Sequence, residues 1–328
     1  MGAKILVYAL LALILTTIHL AEAQQPKKAT LLGYLSARSS SSESTRIEAF
    51  RQVLRELGYV EGKNIIIEYR FAEGKFDRLA DLAAELVRLN VEVIVTAGVP
   101  PTRAAKQVTT TIPIVMAGGG DPVSTGLVAS FARPGGNITG SSDLTVDSIT
   151  KRLELLKEVV PKASRVAVLL NPANPTNPLQ LKETQAVASA LGITIVPLEI
   201  KGAEDFDQAF VTMKKKRADA LVVFSDPMFG FYQKQIANLA MKSRLPAIYG
   251  NRYYVEAGGL MSYGSTNPDD HYRRAAIYVD KILKGATPAE LPVERPMKLD
   301  LVINLKAAKQ IGLTIPPNVL ARADRIIK

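Results

Sequence analysis

From Ala29 onward the chain alternates short apolar runs, rich in β-branched residues, with longer stretches whose apolar positions recur at helical spacing. The run "ATLLGYLS" (29 to 36) predicts a strand. The following "SSSSESTRIEAFRQVLRELG" predicts a polar loop and then an amphipathic helix, with Thr45 and Glu48 spaced as a capping box and Gly58 as the stop. "NIIIEYR" predicts the next strand, "FDRLADLAAELVRL" the next helix, and "VEVIVTAG" and "IPIVMAGGG" two more strands. Strand and helix in regular succession make a parallel sheet covered by helices.

The pattern then recurs. "RVAVLLNPANP" behaves like "LLGYLS", "ADALVVFSDP" like "VEVIVTAGVPP", and "LPAIYG" like "IPIVMA". Tyr34 and Leu169, Leu57 and Leu191, Phe76 and Phe206, and Pro113 and Pro246 are paired landmarks, each about 130 to 135 positions apart. Two similar α/β lobes in tandem explain this spacing, and convergent patterning of β-α units is the alternative. A further helix, "DDHYRRAAIYVDKILKG", belongs to neither copy, and the tail adds an extended stretch and a short helix. The expected division is 24–141 plus 264–291 for the first lobe and 142–263 plus 292–328 for the second. Crossings fall near Ile138 to Ser142, "MSYGS" and Glu294 to Met297, which are hinge candidates.

Ligands of open parallel sheets bind beyond the carboxyl ends of the strands. In the first lobe those ends place Ser36, Ala37, Gly98, Val99, Gly120 and Asp121 as candidate ligand contacts; in the second, Asn171, Asn174, Asp226 and Tyr249. The segment "IYGNRYYVEAGGLMSYG" concentrates Tyr249, Tyr253, Tyr254 and Tyr263, and tyrosine suits a small amphipathic ligand. Tyr249 and Tyr263 join the candidates, the remainder being packing residues. The glycine loop "MAGGGDP" lacks the spacing and the Lys-Ser/Thr of a phosphate loop, so it reads as one wall of an interlobe cleft. Asp226 is the expected partner of a ligand ammonium, with Ser36, Gly98 and neighbouring amides taking a carboxylate. Turn formation is the competing role for both Asp121 and Asp226.

The first residues, "MGAKILVYALLALILTTIHLAEAQQP", carry Lys4, an apolar core from Ile5 to Leu15, and alanines at 21 and 23. This predicts a secretory leader, residues 1–23, cleaved after Ala23, because the apolar core is shorter than the ~20 residues that span a bilayer. A periplasmic protein of roughly 300 residues in two domains follows. No cysteine is present, which excludes a lipidated-cysteine anchor, a disulfide and thiolate chemistry. The net charge of +10 comes from scattered residues, and the one cluster, Lys214 to Arg217, ends a predicted helix, so no nucleic-acid partner is expected. His271 is the single histidine after the leader and is expected to be solvated. Without a second histidine or a Gly-x-Ser-x-Gly elbow, hydrolytic machinery lacks parts, although carboxylate pairs such as Asp121 with Asp226 stay open.

The blocks "EAFRQVLRELGYVEGKNIIIEYRFAEGKFDRLADLAAELVRLNVEVIVTAG", "IPIVMAGGGDPVSTGLVASFARPGGNITG", "KRLELLKEVVPKASRVAVLLNPANP" and "GLTIPPNVLARADRII" closely resemble the substrate-binding components of ABC importers of the tryptophan/tyrosine-permease-like group. The resemblance covers essentially the whole chain after the leader. It implies a type I periplasmic binding-protein fold, two doubly wound parallel-sheet lobes joined by three crossings that close on a solute without chemistry. It further implies a membrane permease and an ATPase as partners; no cofactor is expected, and the chain is expected to be a monomer. An amino acid or related carboxylate is the expected solute. The alternatives are an exported two-lobed transferase-like enzyme and a ligand sensor for a membrane receptor.

Overall fold

The computed structural model describes residues 29–143, 146–267, 269–295 and 298–328. The expected leader, Met297 of the third expected crossing, and Pro296 before it lie outside these residues. In the first sheet, β1 (Thr30–Ser36), β2 (Ile65–Phe71), β3 (Val93–Ala97), β4 (Ile114–Ala117) and β5 (Ile138–Ser141) run parallel in the order β2-β1-β3-β4-β5. The second sheet contains β6 (Arg165–Leu170), β7 (Thr194–Glu199), β8 (Ala220–Val223), β9 (Ala247–Tyr249), β10 (Met261–Ser265), β11 (Leu299–Asn304) and β12 (Arg325–Ile327). Its order is β12-β11-β10-β9-β8-β6-β7, with only the β10-β11 pair antiparallel.

Period-two alternation explains why the central strands read as unbroken apolar runs. Every residue of β3 is buried. Val93 and Val95 enter a core with Tyr34, Phe50 and Val115 on one face, while Ile94 enters the other with Leu35, Leu86 and Met116. The second lobe repeats the device: Val166, Val168 and Leu170 feed one core, and Ala167 and Leu169 the other. Each such side chain contributes roughly 1.5–3 kcal/mol of burial, so a charge placed at Val95 or Val168 would split a lobe.

The extra helix Asp270–Leu283 returns to the first lobe, where Ala275, Ala276, Tyr278 and Val279 pack with Tyr34 and Phe50. The chain passes between sheets after β5, after β10 and before β11. The first and last passages run side by side: Ser141 bridges Glu294, and the Ser142 N–H donates to the Glu294 carbonyl at 2.8 Å.

One helix start differs from expectation. The helix Ser40–Glu56 begins in the serine run, and Ser39, not Thr45, is its cap, accepting from the Ser42 N–H at 3.3 Å. The cause is Glu43, fully buried beneath Arg38, which fixes this turn as helix where composition alone reads as loop.

Candidate functional site

The carboxyl ends of the two sheets face each other across one cavity. From the first lobe, β1 delivers Arg38, β3 runs into Gly98 and Val99, and β4 runs into the Gly118–Gly120 loop. Gly119 needs its missing side chain twice over: its φ is +115°, and a methyl there would lie 2.9 Å from the Val99 nitrogen. From the second lobe, β6 delivers Asn174 and Thr176, β8 delivers Ser225 and Asp226, and β9 delivers Gly250 and Asn251.

The lobes touch. Phe76 packs against cores of both. A methyl on Gly98 would stand 3.3 Å from Pro227, one on Gly230 would stand 2.6 Å from Arg38 Nε, and one on Gly120 would collide with Thr176. The Arg46 guanidinium lies 4.8 Å from the Tyr253 ring centre. The structure is therefore a closed arrangement.

Asp226 is 5 % exposed and every partner it has is neutral. Oδ1 accepts from the Met228 and Phe229 N–H groups at 2.8 and 3.3 Å, capping the helix Pro227–Phe231; Asn174 Nδ2 donates to Oδ2 at 2.8 Å and Asn171 Nδ2 to Oδ1 at 3.4 Å. Burial pushes its carboxyl above the usual range, and these donors only partly offset that. Both the turn-forming role and the cleft position thus hold for this residue.

Across the cleft, Glu43 is 0 % exposed and accepts from Arg38 Nη1 at 2.8 Å and from the Tyr34 hydroxyl at 2.7 Å, with Arg46 Nη1 3.9 Å away. Burial pushes its carboxyl up, but Arg38 and Arg46 outweigh that and hold it below the usual range. At the first crossing, His271 Nε2 stands 2.8 Å from Asp143 Oδ1 and Nδ1 stands 3.0 Å from Ser141 Oγ. The Gly119 N–H donates to Asp143 Oδ2 at 3.2 Å. The expectation of a solvated histidine is corrected: His271 is 6 % exposed, because the returning helix presents it to β5. Serine, histidine and aspartate meet here, but Ser141 does not line the cleft, so the trio ties a crossing to the glycine loop.

Gly98, Val99, Gly120, Asn174 and Asp226 line the cavity. The other sequence-selected residues lie outside its lining. Ser36 is fully buried and its Oγ accepts from the Arg38 N–H, while Ala37 is a core residue. Asp121 Oδ1 accepts from the N–H groups of Val123 and Ser124, forming a turn. Asn171 stands behind Asp226. Tyr249 is fully buried and stacks on Tyr254 at 4.6 Å; it is Tyr254 that faces the cleft. Tyr263 packs beside the core and offers its backbone carbonyl to Arg152.

Sequence reasoning missed Arg38, Arg46, Arg152, Tyr254 and Tyr272 as lining residues. A signal existed for Arg152, which lies on the apolar face of the helix Val146–Val159 with Ile149, Leu153 and Leu156, a place where a cation needs a reason. Glu43 has the same signature beside Ile47, Phe50 and Leu54.

Two parallel-sheet lobes closed over a small, charge-lined cavity define a solute-binding protein of the type I periplasmic binding class. The chain belongs to the ABC transporter substrate binding protein family, whose model matches residues 39–327. A tyrosine-binding protein of Clostridioides difficile (strain R20291) is 27 % identical over 266 residues, which are 81 % of this chain and 76 % of that one. The structure is similar to an ABC domain from Streptococcus pneumonia in complex with L-Trp, with TM-score 0.84 and 26 % identity, covering 92 % of this chain and 100 % of the other. For the ligand-free, open structure of a substrate-binding protein with adhesive properties from Clostridium difficile, the TM-score is 0.63 at 25 % identity, covering 92 % of this chain and 100 % of the other. At matched coverage the whole-chain similarity is greater to the tryptophan complex than to the open protein. Among the described residues no helix is long and apolar enough to cross a membrane. The family is extracytoplasmic and works with a permease and its ATPase.

Proposed function

We propose that this protein captures an amino acid in the interlobe cleft, as a monomer in the periplasm after removal of a leader ending at Ala23, and presents the closed form to its permease without chemical change. The observation that carries the reading is Asp226, a buried carboxylate in the cavity wall whose protein partners are all neutral. A buried anion held only by neutral donors is costly, and a ligand ammonium supplies the missing charge. The size agrees: the cavity encloses about 110 Å3. One water needs about 10–15 Å3 of such volume, so the space holds several waters that a small solute can replace. Tyr254, Tyr272 and Phe224 line it with ring surface, and the relatives named above bind tyrosine and tryptophan, which makes aromatic amino acids the first to try.

The test is calorimetric titration of the wild type and Asp226→Asn with each of the twenty amino acids. Asparagine keeps the shape and serves as well as a helix cap, so the substitution removes mainly charge. Truncating a buried charge pair costs ~2–5 kcal/mol, so affinity should fall by roughly 30-fold to several thousandfold. A wild type that binds no amino acid overturns the reading, and affinity of the variant within about threefold removes Asp226 from recognition.

A further inference from the structure

Arg152 is 4 % exposed in the wall of the same cavity. Its Nε donates to the Tyr263 carbonyl at 2.7 Å, which fixes the plane of the guanidinium. Among the described residues its two terminal nitrogens make no hydrogen bond and have no carboxylate within 4 Å, yet they are not sealed in protein, so they open onto the cavity. One of them lies beside the end of β9, where a methyl on Gly250 would stand 3.2 Å from Nη2. Burial lowers this guanidinium to about 10, with Asp143 only partly offsetting the loss of water. A planar fork of donors, held at one end and free at the other, is the geometry that takes a carboxylate with two parallel bonds.

In the first lobe the two guanidiniums of the cavity wall, Arg38 and Arg46, already face the buried Glu43 carboxylate, at 2.8 and 3.9 Å. The helix Val99–Val108 points its start at the cavity, but Pro100 and Pro101 carry no N–H and the Thr102 N–H is spent on the Gly98 carbonyl at 3.2 Å. Only Val99 remains of the groups that usually bind an anion there. The Ser36 hydroxyl is fully buried and outside the cavity lining. In the second lobe, Asp226 follows β8 and the Arg152 fork sits at the end of β9, and these strands are hydrogen-bonded neighbours. Both groups therefore face the cavity from its second-lobe wall.

We propose that Arg152 binds the carboxylate of the amino acid whose ammonium meets Asp226, so that the second lobe holds both charges and the first lobe closes over the side chain. The inference rests on the amino-acid reading above, and the experiment separates the two. The strongest binder among the twenty amino acids is titrated into the wild type together with its α-amide, which keeps the ammonium and removes the carboxylate charge. Arg152→Gln and Arg152→Lys are titrated with both. The amino acid should bind wild type at least about 30-fold more tightly than its amide. Arg152→Gln should erase that preference, weakening the acid by a similar factor while changing the amide by less than about threefold. Arg152→Lys, which keeps charge but loses the fork, should fall between. A purely structural arginine would weaken both ligands equally, and that result overturns the proposal. Wild-type protein that binds acid and amide alike also overturns it, without needing any variant to fold, and leaves the amino-acid reading standing. Absence of any amino-acid binding removes both.

Discussion

Gly120 belongs to the first lobe, yet what limits its size is Thr176 of the second. A methyl there collides with the threonine side chain in the closed arrangement, and its φ lies outside the left-handed region, so alanine is tolerated by its own backbone. Gly120→Ala should therefore leave the ligand-free fold intact and penalise closure alone. Overpacking costs ~1–3 kcal/mol, so affinity for the ligand should drop about fivefold to a hundredfold with an unchanged melting temperature before ligand is added. Titration together with a thermal melt checks this, and undiminished affinity would mean that the lobes do not meet at Thr176 when ligand binds. At this scale the sequence was legible where the backbone lines the cavity, as at Gly98, Val99 and Gly120, because a strand end followed by glycine is visible in the letters. It was less legible where the side chain decides. Whether Tyr249 or Tyr254 faces the ligand depends on which way each ring stacks, and a cluster of tyrosines does not encode that.

The helix Ser40–Glu56 and β1 are joined by one buried carboxylate. Glu43 accepts from Tyr34 of the strand and Arg38 of the connecting turn, so removing its charge strands two cations beneath the helix. Breaking a buried pair from one side costs ~3–5 kcal/mol, and Glu43→Gln should lower unfolding free energy by about 3 kcal/mol in urea titrations at neutral pH. The pH dependence has a defined sign. The folded carboxyl lies below its unfolded value, so its contribution is present above the unfolded value of about 4.3 and is lost as pH falls through the folded one. Wild type should lose stability across that acid window faster than Glu43→Gln. Parallel curves, or a loss below about 0.5 kcal/mol at neutral pH, would show that the network contributes little. Strands and helices of both lobes could be read from periodicity, since each strand alternates between two cores. The start of this helix could not, because a serine run carries no helical preference until Glu43 is pinned by tertiary partners.

On the scale of the whole molecule, two similar lobes in tandem were readable from the paired landmarks, and strand-end logic located the cleft between them. The three guanidiniums of the cleft were not foreseen, because each acts through partners distant in sequence: Arg152 through Tyr263, Arg46 through Tyr253, and Arg38 through proximity to Gly230. The contacts of Arg46 and Arg38 cross between the lobes and give closure its mechanical content. The closed arrangement places Phe76, Pro227 and Thr176 against the opposite lobe, and without a ligand it holds Asp226 among neutral donors and Arg152 only partly offset by Asp143, which favours opening. The ligand shifts the balance by its differential affinity for the closed state. Small-angle scattering of the ligand-free protein, and of the same protein saturated with the amino acid that titration selects, tests this most directly. Capture by closure predicts a smaller radius of gyration and a shorter maximum dimension on binding, with the saturated curve matching the closed coordinates. Identical curves at saturating ligand would contradict it.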